Sequence, residues 1–160
     1  MKIVFITVGP PGRGATAEAA KGYLERIGRY APLEAGHVKA APYGAGAAAR
    51  TRAMAAEGER IAARIRPGDY VVVLDEKGRT FTSSEFAAVI GRLAGGGTPG
   101  VKRVVFVVGG AYGLDETVKG RADLLWSLTP MTLPHELALL VAAEQVYRAF
   151  TIMRGEPYSH

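Results

Sequence analysis

The last third of the chain contains the pattern that most constrains its fold. The apolar run Val104–Val108 (VVFVV) breaks at once into a glycine turn, Gly109–Gly113 (GGAYG). A second bend follows at Ser127–Glu136 (SLTPMTLPHE), and a long, mostly apolar segment then runs to Met153. In α/β proteins, ligands bind beyond the carboxyl ends of the strands. We therefore expect a small-molecule pocket here, with walls made largely of backbone.

Strand and helix patterns alternate along the whole chain. Apolar, β-branched runs predict strands at Lys2–Val8, Leu33–Ala41, Asp69–Asp75, Val104–Val108 and Leu124–Leu128. Helical spacing predicts helices at roughly 16–29, 47–66, 83–93, 114–123 and 134–154, with Thr16 and Ser83 or Ser84 as N-caps and a short turn after Asp75. This alternation is typical of an α/β fold with a mainly parallel sheet flanked by helices.

Composition excludes several kinds of site. The length of 160 residues predicts a single domain over residues 1–160. The absence of cysteine excludes disulfides, thiolate metal ligands and a thiol nucleophile. No His/Asp/Glu cluster has metal-ligand spacing, so no metal is expected. The apolar run at the N-terminus is too short for a signal segment or a membrane span, and we expect a cytoplasmic protein with no membrane partner.

The positive charge lies in the N-terminal part of the chain. Residues 1–66 contain 11 Lys/Arg against 5 Asp/Glu, whereas residues 67–160 contain 9 against 10. A basic half favours a polyanionic partner such as nucleic acid. Scattered arginines on solvated helix faces, among them Arg50, Arg60 and Arg64, explain the same composition equally well.

One motif near the N-terminus imitates a nucleotide site. Gly9–Thr16 (GPPGRGAT) follows the first strand with phosphate-loop spacing, and Val71–Glu76 resembles an acidic strand end. The position that must be lysine is Ala15, so no ammonium reaches the phosphates. A nucleotide hydrolase is therefore disfavoured.

The second late bend is the more specific signal. Its two prolines, Pro130 and Pro134, hold the backbone extended and remove two donors. The backbone amides and carbonyls between the two prolines are then free to bind a ligand. The edge of an adenine ring between Leu and Met side chains is a chemically sensible occupant, whereas the glycine turn alone is a weak signal.

The final segment carries few polar residues. Glu144 and Arg148, spaced i,i+4, either pair on the helix or mark a buried site. His135 is more often a structural hydrogen-bonding residue than a catalyst. Apolar residues surround the helix almost completely, so either another segment of the chain or a second copy must cover it.

Three stretches, VFVVGGAYGL, LWSLTPMTLPHEL and AAEQVYRAFTIMRGEPY, resemble the small SPOUT-class methyltransferases that modify a pseudouridine of 23S ribosomal RNA, the RlmH type. The resemblance extends to KIVFITVG at the start and VVVLDEKG in the middle. It implies a C-terminal trefoil knot, an exception to the rule that chains avoid knots. It also implies a homodimer that binds S-adenosylmethionine and methylates N3 of a pseudouridine in helix 69 on the assembled 70S ribosome.

The resemblance further implies which residues act. The expected cofactor contacts are Leu74, Gly110, Thr129, Pro130, Met131, Thr132, Leu133 and Pro134. The expected catalytic residues are His135, Glu144, Arg148 and Tyr158, with Arg154 and His160 toward the RNA. A base or anion-stabilising group is needed because the N3 imide proton must leave.

The tail departs from the family pattern, because Ser159 stands where family members commonly have histidine. Either His160 substitutes for that histidine, or it is dispensable, or catalysis is weakened. A related SPOUT enzyme with another RNA target and a non-catalytic ribosome-binding protein of the same fold are the alternative functions.

Overall fold

Five parallel strands form the centre of the molecule. A computed structural model describes residues 1–158. Its strands are β1 (Lys2–Val8), β2 (Leu33–Val38), β3 (Asp69–Arg79), β4 (Arg103–Val108) and β5 (Leu124–Trp126). They lie in the order β2-β1-β4-β3-β5, and every neighbouring pair is parallel. The predicted α/β class with a mainly parallel sheet is confirmed.

Helices cover both faces of the sheet. They are α1 (Ala15–Ile27), α2 (Ala47–Ala62), α3 (Ser83–Ala94), α4 (Glu116–Lys119) and α5 (His135–Met153). Because side chains alternate along a strand, Phe5 and Phe106 pack with α1, α3 and α5, whereas Ile6 and Val107 pack with α2 and α4. All six residues of β4 are buried, as expected for the middle strand of a doubly covered sheet.

Two predicted helix caps are wrong. Gly14, in an extended conformation, is the N-cap of α1, so Thr16 already lies inside the helix. Thr82 caps α3 in place of either serine. Its hydroxyl accepts a hydrogen bond from the Glu85 amide, and the Glu85 carboxylate accepts one from the Thr82 amide. This reciprocal pair satisfies two helix-end donors, which a cap at Ser83 could not do with Glu85.

The turn predicted after Asp75 is also wrong, because β3 continues to Arg79. The Ser127 amide donates to the Arg79 carbonyl at 3.0 Å, and the pairing with β5 shifts register between Leu74 and Arg79. Gly78 permits this contact, since a side-chain carbon there would stand 2.6 Å from the Leu125 backbone. The extension brings the end of β3 against the second late bend.

Within the chain, the cover of α5 is incomplete at two apolar residues. The helix packs between α1 and α3, and Ala142, Ala143 and Ala149 are fully buried there. Leu137 and Met153 remain 38% and 41% exposed. The trefoil knot stays a prediction.

The basic face predicted for α2 is only partly free. Arg50 is exposed, but Arg60 donates to the Lys39 carbonyl at 2.6 Å and Arg64 to the His37 carbonyl at 3.2 Å. Both are half-buried. These two arginines hold the end of β2 instead of projecting into solvent.

Candidate functional site

A cavity of about 460 Å³ lies beyond the carboxyl ends of β3, β4 and β5. The end of β3 and the glycine turn line two of its sides, and residues 128–138 line a third. Met54 of α2 and Lys119 of α4 complete the wall. We call this the cofactor cavity. The two late bends therefore converge on one space, as expected from the sequence.

The glycine turn is held by its own backbone. The Gly113 amide donates to the Gly110 carbonyl at 3.1 Å, and the same two residues form an isolated bridge. Gly113 has φ +84°, a conformation that residues with a side chain rarely adopt. A side-chain carbon at Gly109 would stand 3.0 Å from the Gly113 backbone and 2.9 Å from Leu114. The tight turn thus depends on glycine at both ends.

Side-chain hydroxyls fix the second bend. The Ser127 hydroxyl donates to the Thr129 carbonyl at 2.9 Å, and the Met131 amide donates to the Thr129 hydroxyl at 3.2 Å. Thr132 donates to Glu76 at 2.8 Å, which ties the bend to the end of β3.

Most of the residues predicted to contact a cofactor line this cavity: Leu74, Gly110, Thr129, Met131, Thr132 and Leu133. Pro130 and Pro134 lie in the same bend but are not lining residues. Pro134 instead precedes the first turn of α5, in an extended conformation. His135, the next residue, lines the cavity.

A charged group at the cavity wall was not predicted. Lys119 lies 2.8 Å from Asp75 and 3.1 Å from Glu116. Burial tends to raise the pKa of Asp75, but hydrogen bonds from Lys119 and from the Lys77 amide outweigh it and lower the pKa. The hydrogen bond to Asp75 raises the pKa of Lys119. Both groups stay charged at neutral pH. The one sign of this ion pair in the sequence was the position of Asp75 at the end of a predicted strand.

The other predicted catalytic residues lie together, along the second half of α5 and in the tail. Arg148 contacts Glu144 at 2.6 Å. Tyr158 donates to the same Glu144 oxygen at 3.2 Å, and its hydroxyl lies 3.1 Å from that of Tyr23. Tyr147 packs edge-on against Tyr158, with ring centroids 4.8 Å apart. We call these five residues the tyrosine–arginine cluster.

Tyr158 is a poor candidate for a proton acceptor. Burial, the hydrogen bond with Tyr23 and the charge of Glu144 all raise the pKa of Tyr158. The phenol is therefore protonated at neutral pH and acts as a donor. The Arg148 guanidinium lies over its ring, 4.8 Å from the centroid, so the ring is held on one face by a cation.

The predicted catalytic residues thus fall into two groups. His135 and Arg148 are thirteen positions apart on one helix, roughly 20 Å along its axis. The first lies at the cofactor cavity and the second in the tyrosine–arginine cluster. Arg154 lies over the Tyr30 ring, 4.8 Å from its centroid, and His160 is outside the described residues. Tyr23 and Tyr147 were not predicted as site residues. Nothing in the sequence links Tyr23 of α1 to the tail, whereas Tyr147 directly precedes Arg148 and could have been considered with it.

Neither a metal centre nor a membrane span is found in the part of the chain described. Over residues 1–158, no three His, Asp or Glu side chains are grouped so that they could hold a metal ion. No helix there has the length and apolarity needed to cross a bilayer.

The whole chain matches a known protein family. The family model described as "Predicted SPOUT methyltransferase" matches residues 1–160. Proteins named "Ribosomal RNA large subunit methyltransferase H" are 42% identical in Syntrophotalea carbinolica (99% of this chain, 98% of the relative) and 42% identical in Chromobacterium violaceum (99% and 98%). A third, from Nitratidesulfovibrio vulgaris, is 46% identical over 89% of this chain and 88% of the relative.

A solved methylase structure illustrates the shared fold. It is that of a probable methylase family protein from Haemophilus influenzae, with a TM-score of 0.54. The alignment covers 99% of this chain and 70% of that one at 16% identity. At this identity the likeness concerns the fold alone.

Proposed function

This chain belongs to the SPOUT methyltransferase family, and from that premise we propose that it methylates N3 of a pseudouridine in helix 69 of 23S ribosomal RNA on the assembled 70S ribosome. It is an S-adenosylmethionine-dependent methyltransferase. One observation carries the proposal. Relatives named for methylation of large-subunit ribosomal RNA align with 99% of the chain, including both bends that form the cofactor cavity.

The cavity suits S-adenosylmethionine in size and lining. Leu74 and Leu133 supply apolar walls, and the glycine turn brings Gly109, Gly110 and Gly113, which have no side chains, to the cavity together with Tyr112. We propose that these groups and the bend at 129–133 hold the adenosyl part. When bound, the cofactor supplies a methyl group made electrophilic by the sulfonium.

The remaining chemistry is removal of the N3 proton from the target base. His135 is our candidate for the proton acceptor because it lines the cofactor cavity. Glu144 is already engaged by Arg148, Tyr158 and Gln145. We therefore propose that it organises the cluster, while Arg148 and Tyr158 hold the base and stabilise its anion.

A second subunit would bring the two groups together. Since roughly 20 Å of helix separates His135 from Arg148, one chain does not place both at one methyl group. The exposed Leu137 side of α5 would be covered by the same helix of a second copy. We propose a cytoplasmic homodimer in which the cluster of one subunit completes the cofactor cavity of the other.

The test is nucleotide mapping of 23S ribosomal RNA from cells with and without this gene. We expect one methylated pseudouridine in helix 69 that is lost on deletion and restored by purified protein acting on 70S ribosomes. Restoration at another nucleotide would support a different RNA target. Binding to ribosomes without methyl transfer would support the non-catalytic alternative.

A further inference from the structure

One buried carboxylate belongs to no part of the mechanism above. Glu57 of α2 is 2% exposed. Within residues 1–158, no basic nitrogen lies within ion-pair distance of it. Its oxygens accept instead from the Ala41 amide at 2.9 Å and from the Tyr43 hydroxyl at 2.8 and 3.0 Å. A buried acid without a cation is costly, so its contacts are informative.

Tyr43 connects this acid to the cofactor cavity. Its ring packs edge-on against Tyr112 of the glycine turn, with centroids 4.5 Å apart and planes at 65°. Its hydroxyl lies 3.4 Å from where a side-chain carbon on Gly110 would stand. On α2, the Arg50 guanidinium lies over the Tyr112 ring, 5.1 Å from its centroid.

Beside Glu57, α2 also approaches α4, the helix that follows the glycine turn. A side-chain carbon on Gly58 would stand 3.2 Å from the side chains of both Asp115 and Val118, so α4 packs closely against α2 at this glycine. The glycine turn is thus contacted from α2 by Arg50 at Tyr112, and the segment that follows the turn packs against Gly58.

The turn needs such external support. Three of its five residues are glycines, which have more accessible conformations than other residues. Tyr112, its one large side chain, is 45% exposed. We propose that Tyr43, held by Glu57, is a positioning residue that keeps the glycine turn in the shape that receives S-adenosylmethionine. This inference rests on the proposed function only for the identity of the cofactor.

The test is cofactor affinity in Tyr43→Phe, which keeps the ring and deletes the hydroxyl. Calorimetry with S-adenosylhomocysteine should show about tenfold weaker binding, and KM for S-adenosylmethionine should rise while kcat at saturation stays within twofold. The matched control is Tyr30→Phe, because the Tyr30 hydroxyl also donates to a glutamate, Glu156, away from the cavity. Its affinity for S-adenosylhomocysteine should remain within twofold of wild type.

Wild-type affinity in Tyr43→Phe, with only a lower melting temperature, would make the pair purely structural and overturn the proposal. If that variant is too unstable to assay, Tyr43→Phe combined with Glu57→Gln decides, because the neutral amide still accepts from the Ala41 amide and leaves no buried carboxylate short of a donor. Weaker binding of S-adenosylhomocysteine supports positioning, and unchanged binding overturns it. Failure of the proposed function would give a different result from failure of this inference: the wild type would bind S-adenosylhomocysteine but leave ribosomal RNA unmethylated.

Discussion

The cofactor cavity lies at the start of α5, whereas the tyrosine–arginine cluster lies along its second half, and the two are built from different parts of the chain. The cavity is built around a glycine turn and a proline-rich bend, with walls that include the side chains of Leu74, Met131 and Leu133. The cluster is formed by side chains from α1, α5 and the tail, joined through Glu144. The two bends suit a cofactor that is the same in every reaction, whereas the side chains of the cluster supply the charges and aromatic rings that bind RNA.

This difference assigns separate tasks to the two regions. Substitutions in the cluster should impair methyl transfer without changing cofactor affinity. Substitutions in the glycine turn should weaken cofactor binding and leave the rate of methyl transfer at saturating cofactor unchanged. The following predictions test that separation, from the largest expected effect to the smallest.

Arg148→Ala should reduce methyl transfer to 70S ribosomes at least a hundredfold, because it removes a cation and leaves the Glu144 carboxylate short of a donor. Calorimetry should show an affinity for S-adenosylhomocysteine within twofold of wild type. A large loss of that affinity would mean that the two regions are not separate.

Gly109→Val should weaken binding of S-adenosylhomocysteine by ten- to a hundredfold, since the new side chain meets the Gly113 backbone and Leu114. Gly22→Ala is the control, because a side-chain carbon there meets nothing within 4 Å. The control should bind normally and be more stable by about 0.5–1 kcal/mol, since alanine favours a helix. Normal binding by Gly109→Val would show that the turn is not a cofactor wall.

Tyr23→Phe should lower kcat about three- to tenfold by removing one hydrogen bond to Tyr158. Steady-state assays should show an unchanged KM for S-adenosylmethionine. A rise in that KM with normal kcat would place Tyr23 with the cavity instead of the cluster.

The smallest effect should appear in alkaline unfolding. Burial and the hydrogen bond to Glu57 raise the pKa of Tyr43 to about 12, and the hydrogen bond to Glu156 raises that of Tyr30 to about 12. An unfolded tyrosine titrates near 10. Between pH 10 and 12 the unfolded chain has therefore released these protons while the folded chain keeps them, so stability falls as pH rises.

Urea titrations between pH 9 and 12 measure this slope. Tyr43→Phe and Tyr30→Phe should each make the fall of the unfolding free energy with pH shallower. Tyr43 lies beside the cofactor cavity, and Tyr30 lies beside the tyrosine–arginine cluster. An unchanged slope in both variants would show that neither phenol is perturbed by its glutamate.

Sequence patterns were sufficient for the sheet and for the cavity. Strand cores and glycine or proline bends are local signals, and parallel strands bring the loops at their carboxyl ends to one edge. The strand Lys2–Val8 and the start of α2 at Ala47 match their predictions without change. Errors occurred where a neighbour decided the outcome, as in the extension of β3 along β5.

The supporting contacts were not predictable in the same way. Tyr43 and Glu57 belong to different elements and meet only when the loop before α2 folds back onto that helix. Tyr23 and Tyr158 are separated by 135 positions and share a hydrogen bond. Such pairs leave no period in the sequence, because they depend on how α1, α2 and α5 pack.

The central claim is that one subunit's cavity is completed by the other subunit's cluster. The most direct test combines Gly109→Val in one subunit with Arg148→Ala in the other and assays the purified heterodimer on 70S ribosomes. The cofactor concentration is chosen so that Gly109→Val does not bind it appreciably. Under these conditions the homodimer of each variant should be nearly inactive. The heterodimer should recover about half the wild-type rate, because one of its two sites is intact. A heterodimer no more active than the two homodimers would contradict the account.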